Sequence, residues 1–147
     1  KSHLSSRQAW KYNSLYNCRS LMMRINWRHM RKNGDNDKMN LLDTQGGTPE
    51  KEMCFVLWED DQIRIEKIVS YGQTTPPDYT YCQQEAEWVS VLQGYGVLYF
   101  PDTHTEEKLG PGAYRMIPAG ERHRVIYTSK PCVWLCVFEK QRGAENE

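Results

Sequence analysis

From residue 53 to residue 139 no apolar or alternating run outlasts a short strand before glycine, proline or a polar cluster stops it. Residues 53–58 form an apolar run, and residues 62–69 mostly alternate between apolar and polar. Pro76-Pro77-Asp78 then breaks the chain. Residues 88–92 run into Gln93-Gly94-Tyr95-Gly96, a turn signature from which residues 97–100 return. A polar connection from Pro101 to Gly112 leads to residues 113–117, which Pro118-Ala119-Gly120 closes. Residues 125–128 and 132–139 complete the set, with Ser129-Lys130-Pro131 between them. Short strands with turn signals about every eight to twelve residues describe an antiparallel sandwich or barrel. Long helical patterns do not alternate with these strands, so a parallel sheet of strand–helix–strand units is not expected.

A chain of 147 residues suits one domain with one core. Its 39% hydrophobic and 12% aromatic content is that of a globular protein rather than a disordered one. No stretch approaches the roughly 20 apolar residues that span a bilayer, so no membrane partner is expected. No apolar segment of the kind found in secretory signals stands near the start. The five cysteines (Cys18, Cys54, Cys82, Cys132 and Cys136) are odd in number and include no C-x-x-C pair. Reduced thiols and a cytoplasmic location are therefore expected.

Charge divides the chain in two. Residues 1–38 carry nine Lys and Arg against Asp35 and Asp37, a net +7, and the remainder carries −7 because the whole chain has 19 charges of each sign. The basic part reads as one amphipathic helix. Ser5 and Gln8 have capping-box spacing, and Leu15, Cys18, Met22 and Ile25 recur at spacings of three and four. Gly34 follows Arg31, Lys32 and Asn33 as a C-terminal stop. The helix is expected to bury its apolar stripe on the barrel or on a second subunit. Nucleic-acid binding is not expected, although basic and aromatic residues interleave there, because the acidic remainder would repel a phosphate backbone. A mitochondrial-type presequence ranks lower still. Met39 as an older start, with residues 1–38 an added extension, is a further reading. The expected organisation is thus a helical extension over 1–38, a polar linker through about residue 52, and a β domain within 39–147.

Two stretches of the β region carry specific spacing. Gly112, Pro118, Gly120 and His123 stand in the order G-x5-P-x-G-x2-H, followed by Tyr127 where the pattern would place Asn. Glu87 and Gly94 stand at E-x6-G, but Tyr81 and Gln83 (or Thr80 and Cys82) occupy the preceding H-x-H positions, and Gly72 is slightly displaced. These spacings resemble the two motifs of the cupin superfamily, the second nearly complete and the first without its His pair. The stretch from Tyr81 to Trp88 is similar to that of a group of small single-domain bacterial cupins that also lack the His pair. The resemblance covers about residues 39–139 and implies an all-β fold, a cupin-type antiparallel β-barrel (double-stranded jelly roll), here with an added N-terminal α-helix.

The resemblance also implies that Glu87 and His123 face the barrel interior. Side chains two apart on an unbulged strand share a face, so Tyr81, Gln83, Glu85 and Glu87 are expected to line up as ligand-binding residues. A full cupin site holds a divalent metal through three His and one Glu. Here Glu87 and His123 supply one of each, with Gln83 (or Glu85) as an oxygen ligand, and Cys82 has the opposite parity. Such a mixed site suits Fe, Mn, Ni or Zn. Without a metal, a carboxylate beside an imidazole in a dry barrel is an acid/base pair. His104, Arg122 and Arg124 are expected on the solvated surface, Trp88 on the outer face, and Tyr114 and Met116 in packing roles. The leading expectation is a small-molecule-binding cupin with its pocket around Glu87 and His123. A metal-dependent enzyme (dioxygenase or sugar isomerase-like) and a protein-interaction module using the N-terminal helix are the alternatives. A homodimer is expected, since barrels of this kind must cover sheet edges.

Overall fold

The computed structural model describes residues 40–44 and 47–141, together with the backbone of Met23–Asn26. Among the described residues there are nine strands: β1 (Met23–Asn26), β2 (Met53–Glu59), β3 (Ile63–Ser70), β4 (Ala86–Gln93), β5 (Gly96–Phe100), β6 (Thr105–Leu109), β7 (Tyr114–Ile117), β8 (Arg124–Thr128) and β9 (Cys132–Glu139). They form a six-stranded sheet in the order β1-β2-β3-β9-β4-β7 and a three-stranded sheet in the order β6-β5-β8. Every pairing is antiparallel except β1 with β2.

The core lies between the sheets. Cys132, Trp134, Cys136 and Phe138 of β9 alternate inward and meet Val89 and Val91 of β4 on one side and Ile68 of β3 on the other. Leu98 and Phe100 of β5 and Val125 of β8 close the core from the smaller sheet. The pleat puts every second residue on one face. In β3 that rule runs against the simple reading of its sequence. Arg64 and Glu66, not Ile63 and Ile65, are buried, opposite Phe138 and Cys136. Two opposite charges two residues apart share a face and neutralise each other there, which a polar-outside pattern does not anticipate.

Two strands depart from expectation. β6 lies inside the stretch read as a polar connection. Only Leu109 of its five residues is buried, and it sits at the edge of its sheet, where charged side chains suit an exposed backbone edge. The expected helix over residues 1–38 lies outside the described residues except at Met23–Asn26, and these four are a strand, with Met23 opposite Met53 and Asn26 opposite Val56. The free edge of β2 offers ladder hydrogen bonds that outweigh a short helical periodicity. Among the described residues no helix is long and apolar enough to cross a membrane.

Candidate functional site

Glu87, at the second position of β4, points between the sheets, paired across the ladder with Ile117 of β7 and Phe138 of β9. His123 immediately precedes β8. Its position is set by the turn before it, where Gly120 adopts a φ of 82° and the Glu121 N–H donates to the Pro118 carbonyl at 3.1 Å. A side chain at residue 120 would be strained in that left-handed conformation. The turn is then tied to the chain entering β4. The Tyr81 N–H donates to the His123 carbonyl at 2.9 Å, the His123 N–H to the Tyr81 carbonyl at 3.0 Å, and the Gly120 N–H to the Gln83 carbonyl at 2.7 Å. The two motif stretches, distant in sequence, therefore meet as a short ladder, and the side chains of Tyr81, Gln83, Glu87 and His123 converge on one cavity.

The cavity's remaining wall is mostly apolar: Ile68, Val89, Leu98, Ile117, Val125, Trp134 and Phe138. Its polar wall is a small network. Gln83 Nε2 donates to Glu87 Oε2 at 2.7 Å and lies 3.4 Å from His123 Nε2. Glu87 Oε2 and His123 Nε2 are 3.6 Å apart. His123 Nδ1 is 3.0 Å from the Glu121 carbonyl, which can only accept. That contact assigns the Nδ1 proton and leaves Nε2 facing the cavity. The two N–H groups of the Gln83 amide thus stand between two acceptors. The Tyr81 ring stacks on His123 at 5.4 Å and an interplanar angle of 23°, which fixes the orientation of the imidazole.

Glu85 does not join this group. A bend at Gln84 and Glu85 precedes β4 and breaks strand parity there, so Glu85 does not follow Glu87 into the cavity. Its carboxylate forms a bidentate pair with Arg64, with Nη1–Oε1 at 3.1 Å and Nη2–Oε2 at 2.8 Å. Arg64 also donates from Nε to Glu66 Oε1 at 2.8 Å, and its guanidinium lies 4.4 Å over the Phe138 ring. Burial alone would push the Arg64 pKa down, but Glu85 and Glu66 more than offset it and hold the guanidinium above its ordinary value. Glu66, which sequence reasoning passed over, lines the cavity. The available signal was the Arg64–Glu66 spacing, a pair that can neutralise itself on an inward face.

The residues present do not fit a resident transition metal. Among the described residues no group of three or more His, Cys, Asp and Glu side chains is placed to hold an ion. The expected set reduces to two strong donors, Glu87 and His123, plus an amide whose nitrogen faces both, whereas protein metal centres ordinarily supply three or four protein ligands. Cys82 is exposed, with Sγ 3.6 Å from the Gly120 carbonyl. His104 lies at the surface beside the Tyr99 hydroxyl, and Arg122 pairs with exposed Asp102. Trp88 lies on the outer face, stacked on Tyr114.

Two sheets closing over an apolar cavity with one polar wall define a jelly-roll barrel. The chain belongs to the cupin superfamily: the model of the cupin domain matches residues 68–138. A protein of Ralstonia eutropha JMP134 that carries the provisional name mannose-6-phosphate isomerase is 31% identical, and the match covers 71% of this chain and 98% of that one with a TM-score of 0.66. The polyketide cyclase RemF from Streptomyces resistomycificus is 25% identical over 62% of this chain and 66% of its own, with a TM-score of 0.53. A conserved Streptococcus pyogenes protein of unknown function shares the fold at 17% identity, covering 74% of this chain and 90% of its own with a TM-score of 0.59. No protein among those with curated functions matches the chain.

Proposed function

We propose that this cupin binds a small polar molecule inside its barrel, held by Gln83, Glu87 and His123 beside the Tyr81 ring. The observation that carries the reading is the convergence of buried Glu87 and His123 with half-buried Gln83 on one wall of an otherwise apolar cavity. An apolar pocket with a few convergent polar groups is the usual form of a small-molecule site. The cavity leaves about 50 Å³ for the centres of water-sized groups, room for a few waters at roughly 10–15 Å³ each. The ligand is therefore a molecule of a few heavy atoms, or the inserted end of a longer one. Among the described lining residues there is no Lys or Arg, so nothing in the wall favours the phosphate suggested by the name of the Ralstonia relative.

Proton transfer is the second reading, favoured by the 3.6 Å separation of Glu87 Oε2 from His123 Nε2. A carboxylate and an imidazole at that distance can take and return a proton on a bound ligand. Ligand-detected NMR with a library of small polar fragments, run on the parent and on a Glu87→Ala/His123→Ala variant, tests the binding reading. Fragments that bind the parent and not the folded variant support it. A library in which every hit binds both proteins equally, or in which nothing binds the parent, overturns it.

A further inference from the structure

The donor and acceptor inventory of the cavity assigns a ligand class. Resting on the binding reading above, we infer that the cavity is built for a small primary ammonium ion. Two carboxylates, Glu66 and Glu87, line it, and among the described lining residues no guanidinium does. Glu66 and Glu85 share Arg64, which contacts both. Glu87 shares no Lys or Arg among the described residues. Its contacts are the neutral Gln83 amide and His123, and Oε1 receives no hydrogen bond among them. Glu87 is only 8% exposed, and a carboxylate that far from water needs a compensating charge or donor. His123 directs its Nδ1 proton to the Glu121 carbonyl and turns Nε2 toward Glu87 and the Gln83 amide nitrogen, where it can accept.

The polar wall that faces the ligand therefore accepts. A carboxylate accepts only, the Nε2 lone pair accepts, and the Gln83 donors are already directed at both. An anion would meet Glu87 and Glu66 with nothing to hold it. A neutral hydroxyl brings one donor. An ammonium brings three donors and the missing charge. The 3.6 Å between Glu87 Oε2 and His123 Nε2 lets one nitrogen reach both at ordinary charge-assisted distances of about 2.8–2.9 Å. Tyr81, Trp134 and Phe138 line the same cavity and supply apolar wall for the carbon atoms of such a cation. The site thus refuses a transition metal for want of ligands and suits an organic cation, whose hydrogen bonds need fewer acceptors and whose carbon atoms need apolar walls.

Three two-carbon probes of similar size separate the classes: ethanolamine (as its ammonium ion), ethylene glycol and glycolate, titrated into the full chain by NMR at constant ionic strength. We expect ethanolamine to bind at least tenfold more tightly than ethylene glycol, and glycolate not to bind. In Glu87→Gln that preference is expected to vanish. Equal or tighter binding of ethylene glycol or glycolate overturns the ammonium assignment while leaving the binding reading standing. Ethanolamine binding undiminished in Glu87→Gln places the cation elsewhere on the acidic surface and also overturns it. Silence from all three probes overturns the assignment, and the fragment library then decides the binding reading separately. The ranking of the probes on the parent needs no variant, so a misfolded Glu87→Gln leaves the test intact.

Discussion

Replacing Arg64 by methionine removes the one cation that two carboxylates share at the cavity wall, and the structure sets the size of the effect. Arg64 and Glu66 side chains are 6% and 1% exposed, whereas Glu85 is 19% exposed. Glu85 can turn toward water once its partner is gone. Glu66 cannot, and it stays in the wall without the guanidinium that lies against it. Breaking a buried pair from one side costs about 3–5 kcal/mol, because the orphaned charge remains desolvated. A chain of this size loses roughly 2–4 °C of melting temperature per kcal/mol, so Arg64→Met should lower the midpoint on the order of 10 °C. Removing both partners in Arg64→Met/Glu66→Leu should recover most of the loss, since a buried pair exchanged for apolar side chains is often close to neutral. Thermal and urea unfolding by circular dichroism measure all three proteins. An Arg64→Met deficit below about 1 kcal/mol, or a double variant no more stable than the single one, would refute the claim that this triad is a desolvated and mutually dependent unit.

Three further outcomes follow from other parts of the molecule. Gly94 and Gly120 both have positive φ, 72° and 82°, but a Cβ on Gly94 would lie 2.2 Å from the Pro131 carbonyl oxygen while one on Gly120 meets open space. Gly120→Ala should cost about 1–2 kcal/mol of backbone strain, and Gly94→Ala that plus roughly 1–3 kcal/mol of overpacking; equal costs in urea unfolding would contradict the contrast. Burial pushes the Lys67 ammonium below its ordinary pKa of 10.5, with Asp43 opposing. The unfolded chain then binds that proton more tightly, so the stability deficit from the buried charge is present below the folded pKa and disappears as the pH rises toward 10.5. Relative to Lys67→Met, the parent should therefore gain stability across that window, and a pH-independent difference would count against the assignment. Finally, Tyr114 (66% exposed) and Met116 (47% exposed) stand with the Trp88–Tyr114 stack on the outer face of the six-stranded sheet. That exposed apolar surface predicts a dimer by sedimentation at micromolar concentration and a monomer for Tyr114→Lys/Met116→Lys; a monomeric parent would disprove it.

What could be read from the sequence was what local rules control. The strands between Met53 and Glu139, β6 excepted, announce themselves through alternation and turn residues, and Glu87 and His123 through the spacing of the glycines and proline around them. Tyr81 and Gln83 reach the cavity although the bend at Gln84 and Glu85 interrupts strand parity, because the ladder of Tyr81 with His123 keeps both stretches in register. The strand of Met23–Asn26 was hidden because its partner lies some thirty residues away, at Met53–Val56, and no local pattern encodes an edge that is free to accept it. The misplaced Glu85 and the overlooked Glu66 have a single cause. Sequence parity treats each charged residue by itself, outward unless a motif says otherwise, but a buried guanidinium recruits whichever carboxylates can reach it. Arg64 draws Glu66 inward on its own strand and takes Glu85 from across the bend. Once Arg64 has claimed those two, Glu87 is the carboxylate that Gln83 and His123 answer among the described residues, and on that residual acceptor the proposed ammonium preference rests.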